Sequence, residues 1–245
     1  KPALSALSAL SALSALSALS PCPPPSVTPT TAPTPAANVP STMPPAHRVF
    51  LLSPAHSGGR RAQLLLRDEA RFPLAQRFRA GGVPLGEAFS FLSGLYFRGK
   101  LTYAERFARP PGEMAGAYVI TTCCGLMPAA TLVGPADLAR FGGVEVDPRD
   151  ERYRAPLAAD AARLMNDASV ELVLLGSVAT GKYMDVLLDV VGEQLLVPTE
   201  LVGVGDMRRG ALLLQAARSG VELTYEPAAG AAMRARRPRR MRNDE

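Results

Sequence analysis

Glu171-Leu172-Val173-Leu174-Leu175-Gly176-Ser177-Val178-Ala179-Thr180-Gly181-Lys182-Tyr183 sets the class of structure that this chain forms. After Glu171 the first part is continuously apolar, as a strand buried on both faces requires; a half-exposed antiparallel strand would alternate instead. Gly176 and Gly181 then bracket a short turn, and residues 182–191 return to helical spacing. Strand, glycine turn and helix in immediate succession form half of a crossover unit, whose strands run parallel and whose hand is right.

The same alternation recurs on either side. Arg48-Val49-Phe50-Leu51-Leu52 is a short apolar run, followed by a polar segment over 53–60 and helical spacing over 62–70. Residues 72–80 carry Phe72, Ala75 and Phe78 three apart, and 85–108 read as one or two helices interrupted near Gly94 and Gly99. Ala117-Tyr118-Val119-Ile120-Thr121 predicts a second strand with a loop over 122–128. Residues 153–166 predict a helix, Leu195-Leu196-Val197 a further strand, and 207–219 a helix closed by Gly220. Residues 221–225 alternate, which suits an antiparallel edge strand. The predicted class is α/β: a mostly parallel sheet of about four to five strands with helices on both faces.

Composition divides the chain. The first 46 residues hold 11 of the 23 prolines and one charged residue, Lys1, and residues 3–20 are Ala-Leu-Ser six times over. A period of three turns each leucine backward by about 60° on a helix of 3.6 residues per turn, so no apolar face accumulates. Lys1 before an uncharged run imitates a secretion signal, but serine fills every third place and no small-x-small cleavage pattern follows. The expectation is a disordered low-complexity leader over 1–46, one domain over 47–230 and an arginine-rich flexible tail over 231–245. The net charge of +5 belongs to the ends: between 48 and 232, 20 basic residues meet 20 acidic ones, while 233–245 carries six arginines against Asp244 and Glu245. A strongly basic domain is thereby excluded, and nucleic acid is left as a partner for the tail alone. Tryptophan is absent and aromatics make up 6% of residues, too few for an extended base-stacking platform. With two histidines and three cysteines, one of them in the leader, the chain cannot build an all-cysteine zinc site. Adjacent Cys123 and Cys124 are too cramped for an ordinary bridge. These features predict a chain of a reducing, cytoplasmic compartment, with no metal, no cofactor and no membrane partner.

In an open parallel sheet the ligand crevice lies beyond the carboxyl ends of the strands. The loops that follow the predicted strands are rich in glycine and hydroxyls. Ser53, Ser57, Gly58, Gly59 and Arg60 follow the first, Thr121 and Gly125 the second, and Gly176, Ser177, Thr180, Gly181 and Lys182 the third. Arg208 lies in the first turn after the fourth. Turn and cap chemistry explains any one of these loops. Together on one rim they would offer amides, hydroxyls and helix N-termini to a small anionic or nucleotide ligand.

Gly176 to Lys182 fills the first seven positions of the phosphate-binding loop G-x-x-x-x-G-K-[ST], but Tyr183 stands where the magnesium-binding hydroxyl belongs. The expectation is an anion contact without nucleotide hydrolysis. Gly203-Val204-Gly205 lacks the third glycine of a dinucleotide fingerprint. Three residues are candidates for catalysis, each with a structural alternative. His56 is either a base for Ser57 or a locally bonded loop residue. Cys124 is either a thiolate at a helix N-terminus or a small buried residue. Asp206 is either an acid or the N-cap of the following helix. No motif names a reaction, so an enzyme, a binder and a structural protein without ligand all stay open.

Leu52-Ser53-Pro54 after the first strand, Phe91-Leu92-Ser93-Gly94-Leu95-Tyr96 with Tyr103-Ala104-Glu105 downstream, and Gly125-Leu126-Met127-Pro128 after the second strand resemble uncharacterised bacterial α/β domains. These are distantly similar to the YaaA peroxide-stress proteins and to the domain appended to archaeosine-type tRNA transglycosylases. The resemblance spans residues 48–227. It implies a role connected with nucleotides or nucleic acid, with action on nucleosides or bases as one form of it, and assigns no catalytic residue.

Overall fold

The computed structural model describes residues 47–236, all within one compact unit of the chain, Thr42–Glu245. The expected leader over 1–46 and the tail beyond residue 236 lie outside the described residues.

Six strands make the main sheet: β1 (His47–Leu52), β3 (Ala117–Ile120), β4 (Leu126–Pro128), β6 (Val170–Leu175), β7 (Leu195–Pro198) and β8 (Tyr225–Pro227). Their order is β4-β3-β1-β6-β7-β8. The four inner strands pair in parallel, with Phe50 opposite Ala117 on one side of β1 and Val173 on the other. The two edge strands run antiparallel. A separate two-stranded ribbon joins β2 (Val83–Pro84) to β5 (Leu132–Val133). The predicted α/β class and mostly parallel sheet are thus found, with six strands in place of four to five.

Side chains alternate across the sheet, as strand geometry demands. Phe50, Leu52, Val173 and Leu175 face one apolar core, and Val49, Leu51, Leu172 and Leu174 face the other. The first core is covered by α1 (Arg60–Leu66), α2 (Pro73–Ala80), α3 (Leu85–Ser93), α4 (Leu95–Phe107), α5 (Pro135–Gly142) and α8 (Asp206–Ser219). The second is covered by α6 (Glu151–Leu164), α7 (Gly181–Val191) and α9 (Ala228–Arg236).

Several boundaries differ from the sequence reading. Residues 126–128, expected in a loop, form β4, because the tight turn at Gly125 (φ +59°) returns the chain antiparallel along β3. The edge strand is Tyr225–Pro227 instead of 221–225. The interruption at Gly94 is real (φ +70°), but Gly99 lies inside α4. A Cβ there would sit 2.7 Å from the Gly210 oxygen, so Gly99 serves close helix packing and not a break. The last helix, α9, crosses the expected domain end at 230 and buries Ala231 and Ala232.

From β1 the chain moves to β3 on one side and later crosses to β6 on the other. The order therefore reverses between β1 and β6, and a crevice opens at such a switch point beyond the carboxyl ends.

Candidate functional site

A cavity of about 470 Å³ occupies that crevice. Ser53, Pro54, Ala55 and His56 enter it from the end of β1, Ser177 and Thr180 from the turn after β6, and Lys182 and Tyr183 from the first turn of α7. Ser93, Tyr96 and Lys100 come from α3 and α4, Val146 from the segment before α6, and Asp206 and Arg209 from the first turn of α8. Six of the residues picked from sequence thus share one pocket: Ser53, His56, Ser177, Thr180, Lys182 and Asp206.

Lys100 is the least expected of the walls. It is 1% exposed, and its Nζ donates to the Ser53 carbonyl oxygen at 2.6 Å and the Ser53 hydroxyl at 2.9 Å. The Tyr96 and Phe97 rings lie 4.6 and 4.7 Å from the nitrogen, each within cation–π range. Burial pushes its pKa down to about 7; the Asp206 carboxylate opposes that shift and the Arg209 guanidinium adds to it. Its sequence position carried a signal. Tyr96, Lys100, Tyr103 and Phe107 recur at spacings of four, three and four, so the lysine stands on the core stripe of its helix.

Beside it, Tyr96 is buried, and its hydroxyl makes no well-formed hydrogen bond. Burial raises the tyrosine's pKa above its ordinary value and keeps the phenol protonated. Arg209 is buried too; its Nε donates to the Leu201 oxygen at 3.0 Å and its Nη1 to Asp206 Oδ1 at 3.1 Å. Lys182 is exposed at the rim and has no ion-pair partner among the described residues. Lys182 and Arg209, joined by Lys100 whenever it is protonated, outweigh the one carboxylate, itself tied to Arg209, and give the cavity a positive balance.

The turn after β6 departs from a phosphate cradle in one specific way. Tyr183 folds back, and its hydroxyl accepts the Ser177 N–H at 2.7 Å. One of the amides that a phosphate would use is already occupied. Gly176 permits this approach, since a Cβ there would lie 2.8 Å from the Tyr183 oxygen, and Gly181 opens α7 against the Asp185 carboxylate. Both glycines are spacers at the ends of the turn.

The remaining candidates lie elsewhere. The Ser57 hydroxyl reaches only the Ala55 carbonyl, at 3.5 Å, while the His56 ring folds against Gly58 and Gly59, so no Ser-His pair is formed. Arg60 is exposed on α1, outside the cavity. Thr121 and Gly125 close the β3–β4 turn: the threonine hydroxyl donates to the Gly125 oxygen at 3.0 Å and accepts the Cys124 amide. Cys124 sits in that turn, 3.6 Å sulfur to sulfur from Cys123, and burial pushes its pKa up to about 11. It is a protonated thiol at neutral pH and not an activated thiolate. Asp206 is the first residue of α8, not its N-cap, which is Gly205. Arg208 points to solvent, and its neighbour Arg209 reaches the cavity in its place.

A larger groove, about 710 Å³, lies at the start of β3 and is lined by alanines, prolines and the carboxylates Glu87 and Glu105, with no cation. Among the described residues no cluster of three or more His, Cys, Asp or Glu side chains is placed to hold a metal ion, and no helix is long and apolar enough to cross a membrane. No protein-family model, no curated protein and no solved structure matches this chain.

Proposed function

We propose that the cavity between the ends of β1 and β6 binds a small phosphate-bearing molecule, with a nucleotide unit as the leading ligand class. One observation carries the reading: at the switch point of a parallel sheet, Lys100, Lys182 and Arg209 converge on one pocket that holds a single carboxylate. The pocket volume suits a ligand of nucleotide size. The α7 N-terminus adds its partial positive charge beside Lys182. The resemblance noted in the sequence, which rests on its motifs alone, points toward nucleotides as well, and Ser93 and Tyr96 of its Ser-Gly-Leu-Tyr phrase both line this pocket.

Thermal unfolding of the full chain with inorganic phosphate, AMP or adenosine tests the proposal. Ligand that binds only the folded state raises Tm in proportion to its occupancy. Phosphate and AMP are expected to raise Tm, AMP more, and adenosine at equal concentration to do less than either. No shift with millimolar phosphate or AMP refutes it.

A further inference from the structure

We infer that Lys100 is a carbonyl-capturing amine, and that the ligand of this cavity is a phosphate-bearing aldehyde or ketone held on Lys100 as a Schiff base. The inference rests on the anion-binding reading of the same cavity and narrows its ligand class.

Lysine is rarely this deeply buried without a carboxylate bonded to it. Here the two acceptors of its amine both belong to Ser53, the carbonyl oxygen and the hydroxyl. A neutral amine has two N–H groups and one lone pair. The two donations satisfy the hydrogens and leave the lone pair without a donor, whereas the third N–H of an ammonium would face only the Tyr96 and Phe97 rings, with no oxygen acceptor bonded to it. Asp206, the one carboxylate in the wall, is engaged by Arg209. Burial acts in the same direction, lowering the pKa to about 7, so a large part of the lysine is nucleophilic at neutral pH.

The rest of the wall supplies what such a step needs. The amine nitrogen attacks the carbonyl carbon, forming a C–N bond, and the carbonyl oxygen takes a proton to become the hydroxyl of a carbinolamine. Tyr96, protonated, without a well-formed hydrogen bond of its own and with its ring 4.6 Å from the nitrogen, supplies that proton. That hydroxyl then leaves as water with one of the two protons of the nitrogen, the other returns to the Tyr96 oxygen, and a C=N bond remains. Amine and carbonyl give imine and water, with no change in oxidation state. Lys182 and Arg209 hold the phosphate meanwhile, and the Phe97 and Tyr96 rings keep bulk water from the nitrogen.

Pyridoxal 5′-phosphate is the probe, because it carries both an aldehyde and a phosphate. The chain has three lysines, Lys1, Lys100 and Lys182, so borohydride reduction followed by peptide mapping assigns the adduct without ambiguity. The full-length protein and its Lys182→Arg variant, which keeps the rim cation and removes the exposed competing amine, are treated side by side. The expected result is a phosphopyridoxyl group on Lys100 in both, suppressed by inorganic phosphate and formed about tenfold less readily with pyridoxal, which lacks the phosphate. Adduct confined to Lys1 or Lys182, while phosphate still raises Tm, overturns the Schiff-base inference and leaves the anion site standing. Adduct on Lys100 that phosphate does not suppress overturns the phosphate-bearing class. No adduct on Lys100 together with no stabilisation by phosphate defeats both readings.

Discussion

Lys100 Nζ and the Ser53 carbonyl oxygen, 2.6 Å apart, join the buried face of α4 to the carboxyl end of β1. The contact puts a titratable amine in the protein interior, faced by Asp206 and Arg209 of α8, Tyr96 of α4 and Tyr183 of α7. In the folded protein its pKa is about 7, against 10.5 ordinarily. Between those values the unfolded chain binds a proton that the folded protein does not, so stability rises with pH. The penalty is whole below pH 7 and shrinks as pH climbs. From pH 9 the Cys124 thiol, pushed up from 9.0 to about 11, acts the other way and closes the window. Urea unfolding from pH 7 to 9 is expected to show stability increasing by up to about 1.4 kcal/mol per pH unit. Lys100→Met should lose that slope. A wild-type stability that stays level or falls across the window would sink this account of Lys100.

Tyr183 performs a structural task at the place where a phosphate-binding loop carries a magnesium ligand. Its hydroxyl satisfies the Ser177 amide, and Gly176 leaves just enough room for it. Tyr183→Phe keeps the ring and removes the acceptor. The expected cost is about 1–2 kcal/mol, the usual consequence of stranding one partner of a part-buried hydrogen bond. In a domain of this size that is a fall of roughly 2–8 °C in Tm. An unchanged Tm would mean that water or a neighbouring group takes over the amide.

The inner strands were legible because burial on both faces leaves nothing to alternate: 48–52, 117–121 and 171–175 read as apolar runs and fold as β1, β3 and β6. The strands that were missed, β2, β4 and β5, are two or three residues long, and pairing partners fix them more than composition does. The site divides in the same way. Ser53, Ser177, Thr180 and Lys182 follow strands directly, where topology alone predicts a rim. Tyr96 and Arg209 occupy helical positions whose direction depends on how α4 meets α8, and no local pattern encodes that meeting. Lys100 was half-visible, as a charge on an otherwise apolar stripe. The second loop was overvalued, because Thr121 and Gly125 spend their polarity on closing the turn into β4.

Lys182 and Arg208 are both exposed cations near helix starts, and only Lys182 lines the cavity. Replacing either with alanine should leave stability within about 0.5 kcal/mol, as for surface positions generally. Their effects on ligand should differ. Lys182→Ala is expected to weaken phosphate or AMP binding by about tenfold or more, the value of one charge-assisted contact, whereas Arg208→Ala changes it less than twofold. Isothermal titration of both variants decides the matter. Equal losses would mean that general charge, and not the pocket, attracts the anion.

Gly99 on α4 and Gly210 on α8 hold those helices close enough for Lys100 and Arg209 to share a pocket. A Cβ on Gly99 would lie 2.7 Å from the Gly210 oxygen and 3.1 Å from its Cα; one on Gly210 would lie 2.9 Å from the Tyr96 Cα. The obstructing atoms are backbone, so no side chain can swing aside. On an open helix surface glycine to alanine stabilises by about 1 kcal/mol through propensity, and the sign is therefore diagnostic. Gly99→Ala is expected to destabilise by about 1–3 kcal/mol, because the helices must separate or tilt to admit the methyl group. The same displacement moves Arg209 away from Tyr96 and Lys100, so phosphate affinity should fall together with Tm. A variant as stable as wild type, or more so, would show that the two helices do not meet at these glycines, and the grouping of Lys100 with Arg209 in one anion site would lose its structural basis.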